Sequence, residues 1–232
     1  MAANGLRTVA AILVAAGTGE RLGADVPKAF VHVAGRTLLE HAAARFVTHP
    51  LVRDLIVAAP AALTADAARH VPVATVVVGG ATRQESVACG LTRVAPDVEV
   101  VLVHDVARAF VPTEVIDRVL AALETADGAV PVVPVTDTIR ACDPRTGELG
   151  QLVDRTRLRA MQTPQGFRRA ALVEAHEHGH GLQVTDDVAL VEALGRPVVA
   201  VAGDERAFKI TVPLDLALAE VLAERSDVAD LP

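Results

Sequence analysis

The residues of this chain that could do chemistry begin where its first apolar run ends. There the sequence reads Ala15-Ala16-Gly17-Thr18-Gly19-Glu20-Arg21-Leu22-Gly23, then Pro27-Lys28. Glycines in such a turn let backbone N–H groups close around phosphate oxygens. The same glycines would also serve a plain tight turn from strand to helix. No Gly-Lys-Ser/Thr follows, so this is not a Walker-type loop. Glycines at 17, 19 and 23 put the third one residue late for the dinucleotide fingerprint G-x-G-x-x-G. The chain has twenty Arg and two Lys, and one of those lysines, Lys28, stands with Arg21 on this loop. Two cations beside a glycine turn favour a triphosphate over the plain turn.

Two further stretches carry candidate groups. Gly79-Gly80-Ala81-Thr82-Arg83-Gln84-Glu85-Ser86 reads, taken alone, as a turn and a helix start. His104-Asp105-Val106-Ala107-Arg108 closes an apolar run. An Asp at the carboxyl end of a buried parallel strand faces the crevice where ligands bind in such sheets. One carboxylate with phosphate oxygens and waters suits Mg²⁺. The alternative is a loop or capping carboxylate, and Arg108 three residues on favours an anion site. His104 reads as structural, because no nucleophile–base or metal spacing surrounds it. Lys209 is the second lysine of this Lys-poor chain.

These groups must be positioned by the elements between them. Runs at 8–15, 54–59, 73–78, 98–103 and 128–133 are apolar without polar alternation, as in parallel strands covered on both faces. Between them, 37–47, 61–70, 84–94 and 113–125 have apolar residues at helical spacing. The alternation predicts an α/β fold with a doubly wound, mostly parallel sheet and right-handed crossovers. The pattern breaks after Val135. Residues 136–142 and 149–154 read as two strands around a turn-rich tip, a protruding β-hairpin arm. Helices are expected at 168–178 and 186–194, with Thr185 as N-cap and Asp186 and Asp187 in the first turn. Strands at 197–202 and 208–212 and a helix at 213–224 close the chain, read as one domain over 1–232 with the arm inside it.

Composition removes several classes of function. At 232 residues and roughly 150 per domain, one α/β unit is the default. A net charge of −7 argues against a nucleic-acid binder, and 2% aromatics with no Trp or Tyr leave no stacking platform for single strands. Cys89 and Cys142 have no metal spacing and fit a reducing compartment. Arg7 followed by the apolar run 9–16 resembles the start of a secretory signal. It has a single positive charge and reads equally as a buried strand, so the chain is expected to be cytoplasmic. No apolar stretch approaches the ~20 residues of a membrane span.

In order, Ala-Ala-Gly-x-Gly-x-Arg…Pro-Lys, Gly-Gly…Arg…Ser, His-Asp-x-Ala-Arg, Thr-Pro-Gln, Thr-Asp-Asp and Lys-Ile-Thr run through residues 8–220. This ordered set resembles the 2-C-methyl-D-erythritol 4-phosphate cytidylyltransferases of the non-mevalonate isoprenoid pathway, with ribitol-phosphate cytidylyltransferases as near neighbours. The resemblance implies a Rossmann-like nucleotidyltransferase fold. It implies that Ala15, Ala16, Gly17, Thr18 and Gly19 wrap the triphosphate of CTP, with Arg21 and Lys28 as catalytic cations. By the same resemblance, Gly79, Gly80, Arg83 and Ser86 are expected where cytosine is recognised, and Asp105 is expected to bind Mg²⁺. The resemblance further implies that Arg108, Thr163 and Lys209 hold the sugar phosphate, joined by Thr138 and Arg155 from the arm of a partner in a homodimer. Val106, Ala109 and Phe208 depart from the family pattern, and Phe208 replaces a polar side chain beside Lys209. Another sugar-phosphate cytidylyltransferase, such as one for ribitol 5-phosphate, is the first alternative. An NAD-dependent oxidoreductase is disfavoured because the second strand ends in Ala58-Ala59-Pro60, without the ribose-binding acid. A non-catalytic nucleotide-binding regulator would have little reason to keep Arg21, Lys28 and Asp105 together.

Overall fold

Why the apolar runs lack alternation is visible in the first strand of the computed structural model. In β1 (Val9–Val14), Val9, Ala11 and Leu13 face one core, and Ala10 and Ile12 face another. Both faces of the sheet are covered, so both sets of side chains must be apolar. The structure describes residues 8–15, 17, 22–23, 26–179, 184 and 186–229.

After β1 come the two-residue strands β2 (His32–Val33) and β3 (Arg36–Thr37), helix α1 (Leu38–Val47) and strand β4 (Val52–Ala59). Helix α2 (Thr64–His70), strand β5 (Thr75–Val78), helix α3 (Arg83–Leu91), strand β6 (Val100–Asp105), helix α4 (Thr113–Ala122) and strand β7 (Gly128–Pro134) continue the alternation. The arm is β8 (Ile139–Cys142) and β9 (Leu149–Val153), followed by β10 (Arg159–Met161) and β11 (Gln165–Arg168). Helices α5 (Arg169–His178) and α6 (Asp187–Ala193), strand β12 (Val198–Ala202) and helix α7 (Pro213–Ala229) complete it.

β5, β4, β1 and β6 pair in that order, all parallel. β11 then runs antiparallel between β6 and β7, and β12 lies parallel on the far side of β7. Val132 pairs with Met161 of β10 and with Ala202 of β12, so β10 and β11 share one side of β7. Leu38, Phe46, Ile116, Val119 and Ala223 from α1, α4 and α7 fill one core. Val87, Leu172, Ala175, Leu190 and Val191 from α3, α5 and α6 fill the other. The doubly wound, mostly parallel reading holds. No helix among the described residues is long and apolar enough to cross a membrane.

Three local expectations are corrected. Residues 208–212 form no strand: the segment is tied by Ile210 N–H to the Ala107 carbonyl at 2.9 Å, and Phe208 packs against the core. β10 and β11 carry no apolar run and were invisible to the pattern; they are interrupted at Gln162-Thr163-Pro164, where the Thr163–Pro164 peptide is cis. Asp186, not Thr185, caps α6: its side chain accepts from Ala189 N–H at 3.1 Å, while Thr185 lies outside the described residues.

Candidate active site

The site forms at the carboxyl end of β6, where the chain leaves the sheet at Asp105. Its carboxylate is nearly enclosed and held by two cations, Arg83 Nε to Oδ1 at 3.0 Å and Lys209 Nζ to Oδ2 at 2.7 Å. Burial alone would raise this carboxyl, but Arg83 and Lys209 more than offset it and hold it well below the usual carboxylate range. Asp105 is therefore ionised across the physiological range.

Arg83 reaches it from the first turn of α3. That helix starts with a capping box: the Thr82 side chain accepts from Glu85 N–H, and Glu85 reaches back to the N–H groups of Thr82 and Ala81. A Cβ on Gly80 would lie 2.2 Å from the Glu85 Cβ, so this glycine lets the capping carboxylate fold over the turn. The cap fixes where α3 begins and hence where Arg83 projects. Its guanidinium also binds the buried Asp187 through Nη1 at 2.5 Å, leaving Nη2 buried without a hydrogen-bond partner.

His104, fully buried, supports Asp105 from behind. Its Nε2 lies 3.2 Å from the Arg108 carbonyl, which can only accept, so Nε2 carries the proton and Nδ1 is an acceptor. The Thr163 hydroxyl, 3.0 Å from Nδ1, then donates to it and accepts the Asp105 N–H at 3.1 Å. Burial pushes the imidazole down to about 3, so this neutral arrangement persists. Thr163 lines the crevice, but its hydroxyl proton is directed at His104.

Arg108 donates Nη1 to the Ala207 carbonyl at 2.7 Å and Nη2 to the Met161 carbonyl at 2.9 Å, leaving Nε buried without a partner. It clamps the break between β10 and β11 to the loop that delivers Lys209. Gln162 reinforces the same loop, donating to the Asp204 carbonyl at 2.8 Å and accepting its N–H at 3.1 Å. Phe208 sits partly buried against the core, and Val106 and Ala109 are buried. None of these three departures places a new polar group at the site.

The structure thus gathers Arg83, Asp105, Arg108, Thr163 and Lys209 around one crevice. Ala15 follows the carboxyl end of β1, its N–H bonded to the Ala58 carbonyl, and Gly79 and Gly80 follow β5 at the same edge of the sheet. Gly17 has open space where a side chain would be. Lys28 opens a one-turn 3₁₀ helix, Lys28–Phe30, and is half-buried. Ser86 is fully buried, with its hydroxyl on the Thr82 carbonyl at 2.8 Å. Thr138 and Arg155 are exposed in and beside the arm, and neither lines the crevice; Arg155 donates to the Thr136 carbonyl. Ala16, Thr18, Gly19 and Arg21 lie outside the described residues. Sequence reasoning missed Gln162 and His176 and read Asp187 only as a helix-start acid; the paired acids at the start of α6 were the available signal.

Chemically the crevice is an anion site: three cations and two buried unsatisfied donors face two carboxylates, Asp186 and the ionised Asp105. Among the described residues no group of three His, Cys, Asp or Glu side chains could hold a metal. The ionised carboxylate of Asp105 suits Mg²⁺ delivered with phosphate oxygens that supply the rest of its shell.

A doubly wound sheet with glycine turns and a cation-lined crevice at its carboxyl edge defines an enzyme of the nucleotidyltransferase class. The family model for 2-C-methyl-D-erythritol 4-phosphate cytidylyltransferase matches residues 9–225, and the chain belongs to that family. The cytidylyltransferase of that name from Frankia casuarinae is 46% identical over 224 residues, covering 96% of this chain and 84% of the relative. That from Streptomyces avermitilis is 44% identical, covering 98% and 96%. The crystal structure of the Thermus thermophilus enzyme of the same name superposes with a TM-score of 0.80 at 43% identity, covering 92% of this chain and 98% of that one.

Proposed function

We propose that this chain transfers CMP from CTP to 2-C-methyl-D-erythritol 4-phosphate, giving 4-diphosphocytidyl-2-C-methyl-D-erythritol and pyrophosphate. The observation that carries the reading is the crevice where Arg83, Arg108 and Lys209 surround Asp105, with Arg83 Nη2 and Arg108 Nε buried and lacking acceptors. A buried unsatisfied donor is costly unless a ligand meets it, and a chain of net charge −7 needs such a cluster to assemble two phosphorylated substrates.

In this mechanism a phosphate oxygen of the sugar phosphate attacks the α-phosphorus in line. A new P–O bond forms, the bond to the β-phosphate bridging oxygen breaks, and its electron pair leaves with pyrophosphate. The nucleophile is already ionised near neutral pH, so no general base is required. The protein contributes positioning and charge stabilisation. Arg21 and Lys28 stabilise the triphosphate, Lys209 and Arg108 the sugar phosphate, and Thr163 fixes the Asp105 backbone. Asp105 would hold Mg²⁺, which when bound neutralises triphosphate charge; Lys209, exposed enough to swing, would yield one carboxylate oxygen. The hairpin arm pairs only with itself and exposes Leu149 and Leu152, which supports docking on a second copy that offers its own arm in return.

Pyrophosphate release, measured with each NTP against a panel of sugar phosphates including ribitol 5-phosphate, tests the reading. CTP with 2-C-methyl-D-erythritol 4-phosphate should give the highest kcat/KM. Preference for ribitol 5-phosphate would replace the substrate, and no release with any pair would overturn the activity.

A further inference from the structure

The second aspartate of the Thr-Asp-Asp motif has no role in the chemistry above, yet it is among the most buried charges of the molecule. Asp187 is 1% exposed and does not line the crevice. Its two oxygens are held separately, Oδ1 by His176 Nε2 at 2.9 Å and Oδ2 by Arg83 Nη1 at 2.5 Å. Burial would raise this carboxyl, but His176 and Arg83 lower it, so it stays charged. Arg83 is thereby fastened at two of its three nitrogens, to Asp187 and to Asp105. The guanidinium is a rigid planar fork, so fixing Nη1 and Nε also fixes the unpartnered Nη2.

We propose that Asp187, braced by His176, is a positioning residue for CTP: it pins the Arg83 fork in one orientation beside Asp105, where Arg83 lines the crevice. The inference rests on the cytidylyltransferase reading. Asp187 also stops Arg83 from closing with both nitrogens on Asp105, which would occupy the carboxylate on the substrate side. Capping of α6 does not require Asp187, because Asp186 performs it.

Asp187→Asn keeps the shape and removes the charge. It should raise the KM for CTP about 10–100-fold, the scale of losing a partner behind a ligand-holding side chain, with kcat changed less. The KM for the sugar phosphate should be nearly unchanged. Arg83→Gln should give a similar CTP defect, and the double variant should be no worse than Arg83→Gln alone, since Asp187 then has no fork to hold. Unchanged CTP KM in Asp187→Asn, or effects that multiply in the double variant, would overturn the inference. A merely structural role would lower the melting temperature and the active fraction without moving KM. If Asp187→Asn does not fold, His176→Gln should shift the CTP KM in the same direction by a smaller factor, and no shift would overturn the inference. Wild-type turnover is measured first. Should it be absent, the functional reading fails, and calorimetric titration of CTP tests the positioning directly. Weaker binding to Asp187→Asn than to the wild type supports it; equal or undetectable binding to both overturns it.

Discussion

Lys28 and His104 mark opposite extremes of what one side chain does here. Lys28 is a half-buried cation on the first loop, with little core to lose. Lys28→Ala should fold normally and lose about 10²–10³ in turnover at saturating CTP, the usual result of removing one preorganised charge contact. A pyrophosphate-release assay beside a melting curve checks both halves. His104 touches no substrate in this scheme and acts through stability. The unfolded side chain takes up a proton near 6.5 and the folded one near 3. Between those values the unfolded chain binds the extra proton, so stability falls as pH drops from about 6.5 toward about 3. Urea midpoints measured down that range should decline, and His104→Gln should flatten the decline.

At the scale of elements, α3 is held by a tight fit. It carries Arg83 at one end and lies so close to β1 that a Cβ on Gly90 would come within 2.6 Å of Ile12 Cγ2. Ile12 is fully buried and cannot give way. Gly90→Ala gains up to about 1 kcal/mol of helix propensity, but overpacking costs about 1–3 kcal/mol. Net destabilisation is expected, read as a lower urea midpoint with an unchanged slope. Displacing α3 also displaces Arg83, so kcat/KM for CTP should fall with it.

At the scale of the whole molecule, the proposed homodimer makes the arm the test of whether one chain holds a complete site. Residues 140–157 are exposed throughout, and Arg155 lies beside the arm rather than at the crevice of its own chain. Chains bearing Lys28→Ala, mixed with chains bearing Arg155→Ala and allowed to exchange, should recover roughly a quarter of wild-type turnover. Half the dimers are then mixed and half their sites whole. Exchange without recovery would rule out a shared site.

The unbroken apolar runs by themselves determined the parallel sheet, because burial on both faces leaves a strand no polar alternation to show. Residue type and position likewise marked Asp105, Arg108 and Lys209, as an acid at a buried strand's end, a cation three residues on and the second lysine of a Lys-poor chain, whereas Arg83 entered only through the family resemblance. Three features had to wait for the tertiary structure. β10 and β11 have no periodic pattern of their own and exist because β6 and β7 hold out unpaired edges between them. Thr163 meets His104 and Asp105 across 58 or more positions of chain, a contact no spacing rule can carry. Asp187 looked like an ordinary acid at a helix start, and only the packing of α5 and α3 against it supplied His176 and Arg83. Local sequence sets what an element must bury; which buried groups meet is settled by where the other elements come to rest.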